Sequence, residues 1–468
     1  MFVKQLYTSC LSEAAYFIES NGEAAIIDPL RDIEAYLQLA AEQKATIKYI
    51  FETHFHADFV SGHLDLAKVT GATIVYGPTT KTSYPVKVAG DGERFSIGKL
   101  TMEVLHTPGH TLESSCYLLK NEEGKDYCVF TGDTLFAGDV GRPDLAQRGT
   151  DLTMEDLAGM MYDSIQAKLI PLADDVIVYP AHGPGSACGK SFEGKASTIG
   201  GEKASNYALQ AESKEAFIEA VTRGLTEPPQ YFPINAKINR EGYESIDHVM
   251  EKAGVPLSVS NLKDHLANDG ILLDTRPGAL FMQGFVPGSV FIGLEGRFAE
   301  WAGSLLPFDK PIALVTEEGN EKETATRLAR VGFSNIVGYL KGGVEAWQKA
   351  GEPMDMIIDV EADELAMDIP FDPNLVVIDV RRPVEFADGH VKDALNIPLS
   401  EMTDPVSMSN LEEEQNLYVH CAGGYRSVIA ASLLKRQGIH NLRNVTGGWE
   451  KIKEEKRIKT EKEKSVLN

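Results

Sequence analysis

Residues suited to metal chemistry lie in four short loops of the first 182 positions. The stretch Thr53-His54-Phe55-His56-Ala57-Asp58 gathers two imidazoles and a carboxylate, and His106-Thr-Pro-Gly-His110, Thr131-Gly-Asp133-Thr134 and Tyr179-Pro-Ala-His182-Gly183 follow it. Each later loop joins an apolar run of strand type to a glycine turn. Neutral imidazoles and carboxylates are donors for zinc and divalent iron, and a metal site needs them delivered from several loops with their backbones held. One loop histidine alone is ordinarily a hydrogen-bonding residue. Asp58 alone would serve as the cap of the helix suggested by FVSGHLDLAKV (59–69). Four such loops in order make a metal centre the expectation.

Thiol chemistry is centred on NLYVHCAGGYRSVIAASLLKRQG, which is patterned as strand, glycine loop and helix. Cys421 opens the loop, Gly423 and Gly424 let it curl, and Arg426 begins the helix. Amides converging on the loop and the helix dipole favour an anion there, so a thiol at Cys421 is expected to be partly thiolate. Cys188 lies in HGPGSACGKSFEGKAST, beside the last metal loop, where the residue pattern alone is that of a small residue in a tight loop. Cys10, Cys116 and Cys128 sit in strand-like apolar surroundings and are expected to pack.

The elements that position these loops alternate. Short apolar runs (AAIID, IKYIF, ATIVYG, LTMEVLHT, YCVFTGD, VIVYP) are separated by helical patterns such as RDIEAYLQLAAEQ, which implies a layered α/β domain with its chemistry at strand ends. Residues 205–243 begin helical and are then expected to be irregular through TEPPQYFPINAKINREGY. The second half repeats itself. ILLDTR (271–276) recurs as VVIDVR (376–381), and GGVEAW (342–347) as GGWEKI (447–452), with offsets 379 − 274 = 105 and 447 − 342 = 105. A shared offset at both ends means two copies of one domain of about a hundred residues. The segment of the first copy equivalent to the Cys421 loop has Glu317 or a neighbour in place of the cysteine, so that copy is expected to be catalytically silent. The charged tail, EEKRIKTEKEKSVLN, is expected to be a solvated, frayed helix end.

A chain of 468 residues implies about three domains: 1–250, 256–353 and 360–458. Its formal charge of −24 argues against nucleic acid or an anionic membrane as partner. No apolar run is long enough to span a bilayer, and MFVKQLYTSC lacks a leader's apolar region. Five widely spaced cysteines fit a reducing cytoplasm.

With GRPDL (141–145) added, the metal loops resemble the metallo-β-lactamase fold, an αββα sandwich, and within it the persulfide dioxygenases, close to glyoxalase II. By motif position the resemblance implies His54, His110 and Asp133 as ligands of one Fe(II), with His56, Asp58 and His182 behind them and Arg142 holding either a substrate anion or a structural carboxylate. Two-metal relatives have histidine where this chain has Phe59, which has no lone pair to offer, so one metal is expected. Zn(II), and with it a hydrolase, is the alternative.

Residues 375–399, the loop from Cys421 to Arg426 and NVTGGW (444–449) together resemble a rhodanese domain. This implies that Cys421 carries sulfane sulfur while Arg426 pairs with an anionic donor or acceptor. The order of domains resembles the multidomain persulfide dioxygenase-sulfurtransferases (Cst type) of sulfide detoxification, in which Cys188 would be a candidate persulfide carrier. The implied partners are small-molecule persulfides, sulfite, O2 and a second copy of the chain.

Overall fold

The computed structural model describes residues 1–145, 151–183, 186, 188, 197–225, 227–408, 411 and 414–463. They form two compact units, one comprising Met1–His248 with Leu328–Ser334, the other Val249–Arg327 with Asn335–Asn468.

The first unit is built on two six-stranded sheets. One runs in chain order through Phe2–Thr8, Glu13–Ser20, Glu23–Ile27, Thr46–Phe51, Thr73–Tyr76 and Lys87–Val88. The other runs in reverse order through Ser197–Thr198, Ile177–Pro180, Asp126–Gly132, Ser115–Lys120, Leu100–His106 and Arg94–Ile97. The period-two alternation of a strand explains the layering. Along Glu13–Ser20, Tyr16 and Ile18 point between the sheets onto Phe51, Tyr117 and Phe130, whereas Ala15 and Phe17 point outward onto Leu39 and Leu66 of the helices Glu34–Glu42 and His63–Thr70. The second sheet's outer face is covered by Met154–Ser164 and Lys214–Thr222 through Met161 and Phe217. The layers are therefore helix, sheet, sheet, helix, the metallo-β-lactamase sandwich.

Three expectations need correction. The Pro-rich segment is irregular only at its start, through 227–231, because Phe232–Glu241 is a helix with its proline in the first turn, where a missing N–H costs nothing. The helix after Asp58 begins at His63 with Gly62 as its N-cap, so Asp58 caps nothing. Cys10 sits half-buried in a turn, not a strand, whereas Cys116 and Cys128 are packed inside.

The second unit holds both repeats. The first is a parallel sheet ordered Pro256–Leu257, Ile336–Leu340, Ile312–Val315, Ile271–Asp274, Val290–Phe291. The second, Ile358–Val360, Leu442–Val445, Asn416–His420, Leu375–Asp379, Leu395–Asn396, has the same order and direction. The repeat extends to single hydrogen bonds. Arg276 chelates Asp274 and donates to the Gly284 carbonyl at 2.9 Å, and 105 residues on (381 − 276) Arg381 chelates Asp379 and donates to Gly389 at 2.6 Å. Strand register pairs Asp274 with Val315 and Asp379 with His420, so the residue in the place of Cys421 is Thr316, the neighbour of Glu317. The tail is also not a frayed helix as far as it is described, since Thr460–Glu461 pairs antiparallel with His390–Val391.

Candidate functional site

Every metal loop begins where a strand ends: His54 follows Thr46–Phe51, His110 follows Leu100–His106, Asp133 follows Asp126–Gly132, and His182 follows Ile177–Pro180. Asp133 lies at the centre. Its Oδ2 is 3.4 Å from His110 Nε2 and 3.9 Å from His54 Nε2, and its Oδ1 is 3.4 Å from His182 Nε2. The donor atoms of His54, His110 and Asp133 all lie within 4.8 Å of one another, close enough to share one ion.

The far nitrogen of each ring fixes its tautomer. Thr53 Oγ1 gives its proton to Asp28 Oδ2 at 2.8 Å, so it can only accept from His54 Nδ1, 2.9 Å away. His110 Nδ1 donates to the Arg142 carbonyl at 2.9 Å, and His182 Nδ1 to the Ser12 carbonyl at 3.2 Å. All three therefore present a bare Nε2. Burial, reinforced by the neighbouring imidazoles, holds the pKa of His54 well below its usual value, which favours the neutral ligand form. Both carboxylate oxygens of Asp133 and the Nε2 of His182 are buried with no hydrogen-bond partner among the described residues. Buried acceptors facing one another are costly unless a cation lies between them, so these residues fit a metal.

Glycine sets how closely the loops approach. Gly132 has φ +51°, and a Cβ there would lie 2.6 Å from Thr53 Cβ. A Cβ at Gly141 would lie 1.9 Å from the Asp133 carbonyl oxygen.

Asp58 Oδ2 is 3.4 Å from His182 Nε2, and with Cys188 Sγ these two make a second donor group on the other side of Asp133. Cys188 is 1% exposed, and its thiol pKa is pushed well up by burial and by Asp58 and Asp133. Within its glycine-rich stretch, 184–185, 187 and 189–196 lie outside the described residues. The Arg142 amide donates to the Cys188 carbonyl at 3.0 Å, so the backbone of one residue links this stretch to His110. The Arg142 guanidinium chelates Asp144 at 2.7 and 2.8 Å, a structural carboxylate in its own loop.

His56 turns away from the donors. Its Nε2 is 3.0 Å from Asp28 Oδ1 and 3.6 Å from Glu52 Oε2. Burial alone would lower its pKa, but Asp28 and Glu52 hold it up at about 10. Phe59, fully buried, stacks on it with centroids 4.3 Å apart. Asn239 donates to the carbonyls of both His56 and Phe59 at 2.8 Å and accepts from the Ser61 amide. Asp28, Thr53 and Asn239, which shape the site without ligating, were not singled out in the sequence. Asp28 closes the AAIID run, but Asn239 gave no local signal because its partners lie far upstream.

The thiol loop closes as patterned. Cys421 is 1% exposed, and its Sγ accepts the Gly424 amide at 3.1 Å at the start of the helix Tyr425–Arg436. Trp449 donates its amide to the Cys421 carbonyl at 2.7 Å, fixing the loop from the NVTGGW side. Arg426 is already engaged, since Glu385 chelates it at 2.8 Å through both oxygens. Partial burial would raise the pKa of Glu385, but the Arg426 pair outweighs this and holds it at about 2.

Residues 9–182 match the metallo-beta-lactamase superfamily, and residues 258–350 and 361–455 each match the rhodanese-like domain. The crystal structure of a metallo-beta-lactamase from Staphylococcus aureus subsp. aureus COL is similar at 32% identity, covering 72% of this chain and 98% of that one, with a TM-score of 0.66. The chain belongs to the metallo-beta-lactamase superfamily. A cytoplasmic hydroxyacylglutathione hydrolase of Arabidopsis thaliana is 31% identical to this superfamily member over 185 residues, 38% of this chain and 67% of that protein. The crystal structure of ETHE1 from Myxococcus xanthus is 32% identical, covering 51% of this chain and 98% of that one, with a TM-score of 0.43. The metallo-beta-lactamase domain thus carries the four metal loops, and the second rhodanese-like domain carries Cys421. No helix among the described residues is long and apolar enough to cross a membrane.

Proposed function

We propose that the chain is a persulfide dioxygenase joined to a sulfurtransferase. The observation that carries this reading is the coexistence, in one chain, of a His54–His110–Asp133 donor face and a cysteine whose sulfur accepts the Gly424 amide at the start of a helix. Two imidazoles and one carboxylate are the donor set that leaves iron with open positions. When bound there, Fe(II) would supply a redox centre at which dioxygen and a persulfide sulfur meet. The balanced reaction is R–S–SH + O2 + H2O giving R–SH and sulfurous acid, which ionises to sulfite. The protein's part is to hold His54 and His110 as donors through Thr53 and the Arg142 carbonyl, while Phe59, stacked on His56, adds no lone pair of its own. One ion per chain, on the His54–His110–Asp133 face, is the stoichiometry proposed.

At the second centre, Cys421 thiolate attacks the outer sulfur of a second persulfide and R–S⁻ leaves. Sulfite then takes that sulfur as thiosulfate and regenerates the thiolate. Arg426 would help hold either anion only by sharing or releasing Glu385. Free thiols at all five cysteines fit a reducing, cytoplasmic setting for this chemistry.

A second reading has support in the similarity to hydroxyacylglutathione hydrolase, namely a zinc thioesterase with appended rhodanese domains. Protein purified without oxygen separates the two. One equivalent of iron and O2 uptake with a persulfide support the dioxygenase. Stoichiometric zinc, thioester cleavage and no O2 uptake would replace it with the hydrolase.

A further inference from the structure

The helix behind Cys421 is fastened along its length to the first, cysteine-less repeat. Tyr425 at its start donates to the Gly293 carbonyl at 2.8 Å, Ser432 midway accepts the Phe291 amide at 3.0 Å, and Arg436 at its end donates to the Gly288 carbonyl at 2.8 Å. Between the two repeats lies a cavity of about 270 Å³. Gly423, Gly424 and Tyr425 of the thiol loop form one side of it, and Ala279, Met282 and Phe291 of the first repeat form the other. That is below the roughly 300–1,000 Å³ of pockets that enclose a whole drug-sized ligand, so it suits one short arm of a molecule.

The character of the lining is selective. Among the described residues no lysine, arginine or histidine lines it, and its one carboxylate is Asp359. The nearest loop cation, Arg426, is chelated by Glu385. At the polar end, Asn444 Nδ2 donates to Asp359 Oδ1 at 2.7 Å, which orients the amide because the flipped form would set oxygen against oxygen. Asn444 is 3% exposed and its Oδ1 finds no donor among the described residues. A buried acceptor lining a cavity calls for an N–H from whatever occupies it.

We infer that the first repeat supplies a wall of the sulfur-donor pocket, and that the pocket takes the uncharged, N–H-bearing arm of an organic persulfide in preference to an inorganic anion such as thiosulfate. The inference rests on the sulfurtransferase reading of Cys421 and adds its donor class. The apolar arm lies against Ala279, Met282 and Phe291, its N–H meets Asn444 Oδ1, and its terminal sulfur faces the Gly424 amide. Cys421–S⁻ then bonds to that terminal sulfur, the S–S bond of the donor R–S–SH breaks, and the arm departs as R–S⁻, leaving Cys421–S–SH. A dianion placed beside Asp359, with no cation among the described lining residues, gains much less.

The test uses the full chain and follows one sulfur added to Cys421 by mass spectrometry. N-acetylcysteamine persulfide (neutral, with an amide N–H), mercaptopropionate persulfide (anionic) and thiosulfate are the donors. The expected kcat/KM for the amide donor exceeds that for thiosulfate by about tenfold or more, with mercaptopropionate persulfide below the amide donor. Ala279→Phe at an exposed position and Met282→Trp at a half-exposed one fill the cavity with little risk to folding. Each should cut the ratio of amide-donor to thiosulfate efficiency by about tenfold. Equal or greater efficiency with thiosulfate, or a ratio that neither variant moves, overturns the donor assignment while leaving sulfur transfer standing. A Cys421 that takes sulfur from none of the three overturns both.

Discussion

A single hydroxyl, Thr53 Oγ1, decides which nitrogen of His54 faces the metal position, because its own proton is committed to Asp28. Thr53→Val keeps the shape and removes that relay. Metal affinity should fall by about 10- to 100-fold, read as iron retained after anaerobic dialysis, while Cys421 still takes up sulfur. A second residue-scale test concerns Glu385. Its pKa is held at about 2 against an ordinary 4.5, so its pair with Arg426 stabilises the fold above the ordinary value and loses that effect as pH falls through about 2. Glu385→Gln should lower the unfolding free energy measured in urea at neutral pH, by no more than about 1 kcal/mol since the pair is partly exposed, and converge with the parent in acid. At this scale the sequence was readable where a residue type names its own chemistry. His54, His110 and Asp133 converge within the first unit, and within the second Cys421 accepts the amide of its own glycine loop. Arg426 was legible as a cation beside the loop, but its partner was not, because Glu385 lies on a helix from another part of the repeat.

Elements act on these residues by how closely they approach. The strand-end loops bearing His54 and Asp133 touch backbone to side chain at Gly132, where φ is +51° and a Cβ would collide with Thr53. Gly132→Ala combines left-handed strain with that clash. We expect a loss of roughly 1–3 kcal/mol in stability, seen as a lower thermal midpoint, and metal binding weakened in the variant that still folds. Alternation and glycine punctuation made the sandwich's strands visible in the sequence, and the shared 105-residue offset made the second repeat visible as a copy of the first. The helix Phe232–Glu241 was hidden because prolines and asparagines weigh against a helix locally, and tertiary contacts such as Asn239 to the His56 and Phe59 carbonyls outweigh that propensity. The strand Thr460–Glu461 was hidden for the same reason, since a charged tail gains strand structure only by pairing with His390–Val391.

For the molecule as a whole, the question is what is gained by carrying both centres on one chain. Under the proposed function, sulfite leaving the metal centre would be a small, mobile anion, and a sulfur-loaded Cys421 on the same polypeptide would see it at a concentration set by the chain and not by the solution. Two variants isolate that effect. His110→Ala removes a metal donor and leaves Cys421 intact, while Cys421→Ser removes the sulfur carrier and leaves the metal donors intact. Mixed in equal amounts with a persulfide and oxygen, the pair still contains both activities, but sulfite must travel between molecules. The expected outcome is thiosulfate formation that falls as the mixture is diluted, with free sulfite accumulating, whereas the parent chain at matched O2 uptake keeps its thiosulfate yield nearly constant. If the mixture and the parent lose thiosulfate in parallel on dilution, the linkage serves some end other than transfer, and the two centres work as independent enzymes that share a gene.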